Sequence, residues 1–237
     1  MQLNHAQREL TLKIVYYGPG LSGKTTNLRQ LYARMRSEVR GRLLSVETRD
    51  DRTLFFDVLP VFFASSSGYN VKVKLLTVPG QVVHVATRRI VLRAADAVAF
   101  VADSRRGSTA ENNRYWHNLR EDMRDNGLDP DRVPVVIQFN KRDLPDTQTD
   151  EELDVVRRRG REPVVGAVAL TGEGVCETFH ELMQAAWQRL DADANLERNL
   201  GLSEQEFLRR IFRHMNLDGT KLAGRYEADS ASEGGAA

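Results

Sequence analysis

Residues 12–28 read LKIVYYGPGLSGKTTNL, and this stretch decides the fold. Leu12 to Tyr17 has the apolar, β-branched and aromatic character of a strand. A glycine-rich loop follows from Gly18 to Gly23, and from Thr25 to Arg36 the spacing of Leu28, Leu31 and Met35 predicts a helix. Gly18-Pro19-Gly20-Leu21-Ser22-Gly23-Lys24-Thr25 fits G-x-x-x-x-G-K-[ST] between a strand and a helix. The physics of a polyphosphate asks for that order. Glycines let the backbone wrap the ligand, and successive N–H groups with the helix N-terminus meet its charge. Lys24 would reach the β- and γ-phosphates, Thr25 would hold Mg²⁺, and Thr26 would reach the α-phosphate.

Outward from this loop, strand-like and helical runs alternate. Leu54–Phe63 and Val71–Leu76 are separated by Ser65-Ser66-Ser67-Gly68, which reads as a hairpin turn. Ala97–Ala102 and Val135–Phe139 are continuously apolar, as central strands covered on both faces are. Asn112–Arg124 is helical between them, and Val164–Ala169 reads as a last strand. The expected fold is α/β, with a mostly parallel central sheet, one antiparallel edge hairpin and helices on both faces. Ligands would bind at the carboxyl ends of the strands.

Composition narrows the function classes. A chain of 237 residues, 41% hydrophobic, suits one large domain with an appendage. A net charge of +1 gives no global attraction to nucleic acid or an anionic membrane. The lone Cys176 cannot form an internal disulfide and reads as a small buried side chain in a reducing cytosol. No apolar run reaches the ~20 residues of a membrane-spanning helix, and MQLNHAQREL lacks a signal-peptide core. The expected location is cytoplasmic.

A second motif names the base. After Val135–Phe139 come Asn140-Lys141-Arg142-Asp143. The Asp143 carboxylate can accept from guanine N1–H and its 2-amino group, a donor pair that adenine lacks. Asn140 can meet the N7 side, and the Lys141 stem can lie along the ring. Ala169-Leu170-Thr171-Gly172, after the last strand, offers a backbone N–H to guanine O6. Together these motifs argue against a nucleotide kinase and for GTP or GDP.

One stretch departs from expectation. Residues 75–81 read LLTVPGQ, with Thr77 where chains that bring a strand and glycine hinge to a phosphate usually carry aspartate. The chain nevertheless resembles the Ras-like small GTPases, and more narrowly the bacterial MglA-type polarity GTPases. The resemblance rests on residues 13–28 (KIVYYGPGLSGKTTNL), 51–60 (DRTLFFDVLP), 77–81 (TVPGQ), 101–104 (VADS) and 140–145 (NKRDLP), and it covers roughly residues 6–190. In that family, threonine at the Thr77 position is the usual state. Asp57 would then add an outer-shell carboxylate to Mg²⁺.

The resemblance implies further roles. Gly80 would donate its N–H to the γ-phosphate, and Gln81 would orient the attacking water. Thr53 would touch Mg²⁺ in the GTP state, and Arg52 would act as an intrinsic arginine finger; a strand cap and a solvated charge are their other readings. The implied partner is a Roadblock-fold MglB-type homodimer that stimulates hydrolysis, with effectors unspecified and recruitment to a cell pole expected. The strand Leu54–Phe63 is either the one that shifts register between nucleotide states or an ordinary apolar edge strand. Val82-Val83-His84-Val85 departs from relatives, where an aromatic pair and an acid are common. Arg88 and Arg89 read as solvated helix charges.

The GTPase domain is expected to occupy residues 1–190, a helical extension 191–226, and a disordered tail 227–237. Ser203-Glu204-Gln205-Glu206 has capping-box form before Phe207, Leu208, Ile211, Phe212 and Met215, with Gly219 placed to close the helix. That helix either packs on the domain, fills a partner groove or lies on a membrane surface. The sequence reading is a slow GTP-hydrolysing switch, with Gln81, Arg52 and Lys24 in catalysis. A non-hydrolysing, nucleotide-bound scaffold is the alternative.

Overall fold

Alternate residues of the strand Glu9–Tyr17 (β2) are buried in opposite directions, which makes it the spine of the molecule. Leu10, Leu12, Ile14 and Tyr16 enter one apolar cluster, while Val15 and Tyr17 enter another. The computed structural model describes residues 1–46, 56–79 and 85–226. Arg52, Thr53, Gly80, Gln81, His84, the start of the proposed switch strand and the tail 227–237 lie outside the described residues.

Among the described residues, eight strands form one sheet. Besides β2 they are Gln2–Asn4 (β1), Leu44–Val46 (β3), Phe56–Ala64 (β4), Asn70–Thr77 (β5), Ala97–Asp103 (β6), Val135–Asn140 (β7) and Val164–Gly166 (β8). Their order is β3-β4-β5-β2-β6-β7-β8, with β1 pairing β2 off this path. The β5-β2-β6-β7-β8 block is parallel. β4 runs antiparallel to β5, as the hairpin reading expects, and the turn closes with Gly68 N–H on Ser65 O at 3.1 Å. The short strands β1 and β3 also pair antiparallel.

The helices are Lys24–Arg34 (α1), Val85–Leu92 (α2), Thr109–Asp125 (α3), Asp150–Arg159 (α4), Val175–Ala194 (α5), Leu196–Leu200 (α6) and Glu204–Phe212 (α7). Residues of α1, α5, α6 and α7 join the Leu12–Tyr16 side, and those of α2, α3 and α4 join the Val15–Tyr17 side. Helices therefore cover both faces. α4 begins with a complete capping box between Thr149 and Glu152, which supports an N-terminus carrying three acids.

Several boundaries differ from the sequence reading. β8 ends at Gly166 rather than Ala169, because residues 167–172 turn back: Thr171 and Gly172 N–H both donate to Val168 O. At α7, Ser203 accepts from Glu206 N–H at 3.2 Å, but the Glu206 carboxylate goes to Ser66 instead of returning to Ser203. Only half of the expected box forms. Gly219 does not close this helix either. The helix ends at Phe212, and the chain then bridges from Met215 to Met35, with Asn216 N–H donating to Arg34 O at 2.7 Å.

Residues 196–222 contribute Leu196, Leu200, Leu202, Phe207, Phe212 and other side chains to the same cluster as β2 and α5. Burying a phenylalanine is worth about 1.5–3 kcal/mol. The apolar face of α7 is thus covered by the domain itself. Cys176 is fully buried, as expected, and burial pushes its thiol up to about 11.

Candidate functional site

The phosphate loop, the end of β5, the end of β7 and the loop after β8 gather at the carboxyl edge of the parallel block. Gly18 has φ +138°, and a Cβ there would lie 2.2 Å from Val101 O on β6. Gly23 has φ +104°, and a Cβ would lie 2.1 Å from Asn140 Nδ2. Both positions require glycine on conformation and on space. Leu21, in the left-handed region at φ 59°, projects 93% exposed from the loop tip. Ser22 is fully buried, and its Oγ has no hydrogen-bond partner among the described residues.

Lys24 opens α1 directly behind Gly23. Its ammonium turns back to donate to Gly18 O at 2.9 Å and Pro19 O at 2.5 Å. Burial pushes it down to about 7, Arg88 adds to the shift, and Asp57 opposes it. An ammonium held at the cost of its own solvation is one that a multiply charged anion would stabilise.

On the other side of the loop, the Thr25 hydroxyl donates to Asp57 Oδ2 at 2.6 Å. Thr77 Oγ1 donates to the same oxygen at 3.1 Å, and Asp57 N–H donates to Thr77 Oγ1 at 2.9 Å. A carboxylate from the neighbouring strand thus lies against both Thr77 and Thr25. Thr25 spends its proton on the carboxylate and keeps its oxygen lone pairs, the donor a hard cation prefers.

Asn140 joins three motifs. Its Nδ2 donates to Ser22 O at 2.7 Å, and its Oδ1 accepts from Ala169 N–H at 2.8 Å. The side chain is buried, so the phosphate loop, the N-K-x-D stretch and the Ala169–Gly172 loop are tied into one body. Lys141 adopts φ +67° and donates to Asp103 Oδ2 at 2.7 Å. Asp103 also takes Arg105 at 3.1 and 2.7 Å. Burial alone would raise the Asp103 carboxyl, but Arg105 and then Lys141 hold it at about 2. Asp143 is exposed and has no ion pair among the described residues. Leu170, which follows the Ala169 amide already used by Asn140, is 76% exposed. Gly20 and Thr26 are partly buried at the loop and the first turn of α1.

Sequence reasoning missed the buried polar layer beneath the loop. Asn27 Nδ2 donates to Gly23 O at 3.0 Å and to Gln138 Oε1 at 2.8 Å. Gln138 Nε2 returns to Asn27 Oδ1 at 2.9 Å and reaches Thr178 Oγ1 at 2.8 Å. The signal was present: Gln138 is a lone amide inside the apolar run VVIQF, and such a group must find partners. Arg88 is a correction. It is 3% exposed rather than solvated, with Nε 3.5 Å from Asp122 Oδ2 and its guanidinium over the Tyr115 ring. Arg89 is half exposed but paired with Asp122 and Asp125. Both arginines tie α2 to α3, because Asp122 also accepts from Tyr17 and needs cationic partners in its burial.

The residues fit a bound nucleotide and cation. Two glycines open a cradle that Cβ atoms would fill, a buried hydroxyl lies unpartnered beside it, and oxygen donors adjoin Thr25. Among the described residues no group of three or more His, Cys, Asp or Glu forms a separate metal cluster. No described helix is long and apolar enough to cross a membrane.

No family model matches the chain. It is 45% identical over 177 residues to the mutual gliding-motility protein MglA of Myxococcus xanthus (strain DK1622), an alignment spanning 75% of this chain and 91% of that protein. That likeness agrees with the loop, the base motif and the threonine-bracketed carboxylate in one site: the chain belongs to the MglA family of Ras-like small GTPases.

Proposed function

We propose that this chain binds GTP and GDP at the Gly18–Thr26 loop and hydrolyses GTP slowly until a partner stimulates it. The observation that carries the reading is Asn140, whose one side chain bonds both Ser22 of the phosphate loop and Ala169 of the base loop. Phosphate and base recognition would thereby be held at a fixed separation. Asp143 would accept from guanine N1–H and the 2-amino group, Lys141 would lie along the ring, and the Leu170 N–H would meet O6. The remaining amide hydrogen of Asn140 would face N7.

Gly18, Gly20, Leu21, Ser22 and Gly23 would wrap the β-phosphate, with Lys24 leaving the loop carbonyls for the β- and γ-oxygens. Thr25 and Thr53 would hold Mg²⁺, and Asp57 would orient Thr25 as an outer-shell carboxylate. When bound, Mg²⁺ neutralises charge on the β- and γ-oxygens. Gly80 would donate to the γ-phosphate, Gln81 would position the water for in-line attack, and Arg52 would meet charge developing on the transferred group.

Ras-type intrinsic hydrolysis runs near ~10⁻⁴ s⁻¹, and an activator adds about 10⁵-fold. A Roadblock-fold MglB-type homodimer is the proposed activator, and the proposed setting is a cytoplasmic switch drawn to a cell pole in motility. The test is binding of GDP against ADP, followed by single-turnover GTP hydrolysis with Mg²⁺ for the wild type and Gln81→Ala. Guanine-selective binding with slow hydrolysis lost in the variant supports the switch. Tight binding with equal, negligible turnover in both, even with the activator, favours the scaffold.

A further inference from the structure

β4 and α1 meet at the site where the Thr25 hydroxyl donates to Asp57 at 2.6 Å. Their far ends lie elsewhere. Seven steps of strand at ~3.3 Å separate Asp57 from Ala64 by about 23 Å, and α1 ends at Arg34. Both far ends are gripped by the same C-terminal segment.

At the end of β4, the Glu206 carboxylate accepts from Ser66 N–H at 2.6 Å and from the Ser66 hydroxyl at 2.9 Å. Phe63 meets Phe207 edge-on, with ring centroids 5.7 Å apart. At the end of α1, Arg36 N–H donates to His214 O at 2.9 Å, and Asn216 N–H donates to Arg34 O at 2.7 Å. The segment is itself anchored to α5, through Gln184 on Glu204 at 2.6 Å and Phe212 against Phe179 at 5.5 Å.

A strand changes register as a unit, so a hold on its turn is a hold on every residue along it. We infer that Ser203–Asn216 is a built-in brace that sets Asp57 against Thr25, with Glu206 as its positioning residue, and this rests on the reading of those two residues as the metal side of the nucleotide site. Glu206 is well suited to the task. A carboxylate accepting two donors from one residue is a strong, directional contact, and its helix is fixed in the core. It also explains why Glu206 leaves the capping box unfinished: its acceptors serve the hairpin instead.

The test uses the full chain with Glu206→Ala and Glu206→Gln. Hydrogen exchange of β4 amides is read beside release of a fluorescent GDP analogue in Mg²⁺ and in EDTA. In Glu206→Ala, β4 amides should exchange faster and Mg²⁺-bound release should quicken about tenfold or more, tenfold being the low end for either of the two charge-assisted hydrogen bonds lost. Release in EDTA should stay unchanged, because the metal-side contact no longer contributes there. Glu206→Gln keeps an acceptor oxygen and should recover most of the wild-type rate.

Ser66→Ala removes one donor without touching α7, and it carries the test should Glu206→Ala fail to fold. Unchanged β4 exchange in the variants, or equal acceleration with and without Mg²⁺, overturns the brace. Failure of the chain to bind guanine nucleotide would instead overturn the site reading, and β4 exchange would still decide whether Glu206 holds the strand.

Discussion

Thr77 and Asp57 hold each other twice across the β4–β5 pair. The Asp57 N–H donates to Thr77 Oγ1 at 2.9 Å, and Thr77 Oγ1 donates back to Asp57 Oδ2 at 3.1 Å. A threonine at the position where an acid is usual becomes a bracket for an acid arriving from the next strand. The carboxylate is displaced in sequence by twenty residues but kept beside Thr25 in space.

Removing that carboxylate should strike the metal and spare the base. Asp57→Asn is expected to weaken Mg²⁺ affinity about 10–100-fold, the usual cost of losing a group that orients a ligand. Guanine nucleotide affinity in EDTA should be unaltered, since Asn140 and Asp143 are untouched. Mg²⁺ titration of GDP release measures both. A variant with wild-type Mg²⁺ dependence would remove Asp57 from the site.

Gly23 makes the sharpest steric prediction. Its φ of +104° suits glycine, and an added Cβ would lie 2.1 Å from the Asn140 amide. Gly23→Ala should cost ~1–3 kcal/mol in backbone strain and break the Asn140–Ser22 bond as well. GDP binding should be lost by isothermal titration. Asn140→Ala imposes no strain on the Gly23 backbone but releases both Ser22 and Ala169, so it should lose guanine selectivity with a smaller drop in stability.

The phosphate loop and base motif are legible in the sequence because each packs its chemistry into a few consecutive residues, where spacing is visible. The parallel sheet and the helices on both faces follow from apolar periodicity. Arg88 misleads a sequence reading because its partners, Asp122 and Tyr115, come from another helix; a charge on α2 looks solvated until α3 is placed against it. Glu206 misleads for the same reason. Its local motif promises a capping box, and a serine 140 residues away takes the carboxylate.

Asp103 gives the chain a defined acid sensitivity. Despite burial, Arg105 and Lys141 hold its carboxyl at about 2, below its ordinary 3.8. A depressed folded-state value means the stabilisation is complete above about 3.8 and is lost as pH falls through about 2. Asp103→Asn should be less stable than wild type at neutral pH, and the gap should narrow towards pH 2. Urea denaturation across that range reads the difference. Lys141 would lose its anchor too, so nucleotide release should quicken in the variant.

The C-terminal segment should behave as core, not appendage. Phe212 is fully buried, with ring centroids 5.5 Å from Phe179, 5.3 Å from His180 and 5.1 Å from Tyr226. Phe212→Ala removes a ring from a site lined on three sides, and should cost about 3–5 kcal/mol. Gln205→Ala, on the exposed side of the same helix, should stay within ~0.5 kcal/mol. Chemical denaturation of the two variants separates a helix that completes the fold from one that merely rests on it. Near-equal stabilities would mean that the cluster formed by α5 closes without the segment. A large gap would mean that a chain cut short near Leu190 cannot fold as this one does, because Phe179, Met183 and Trp187 would face water together.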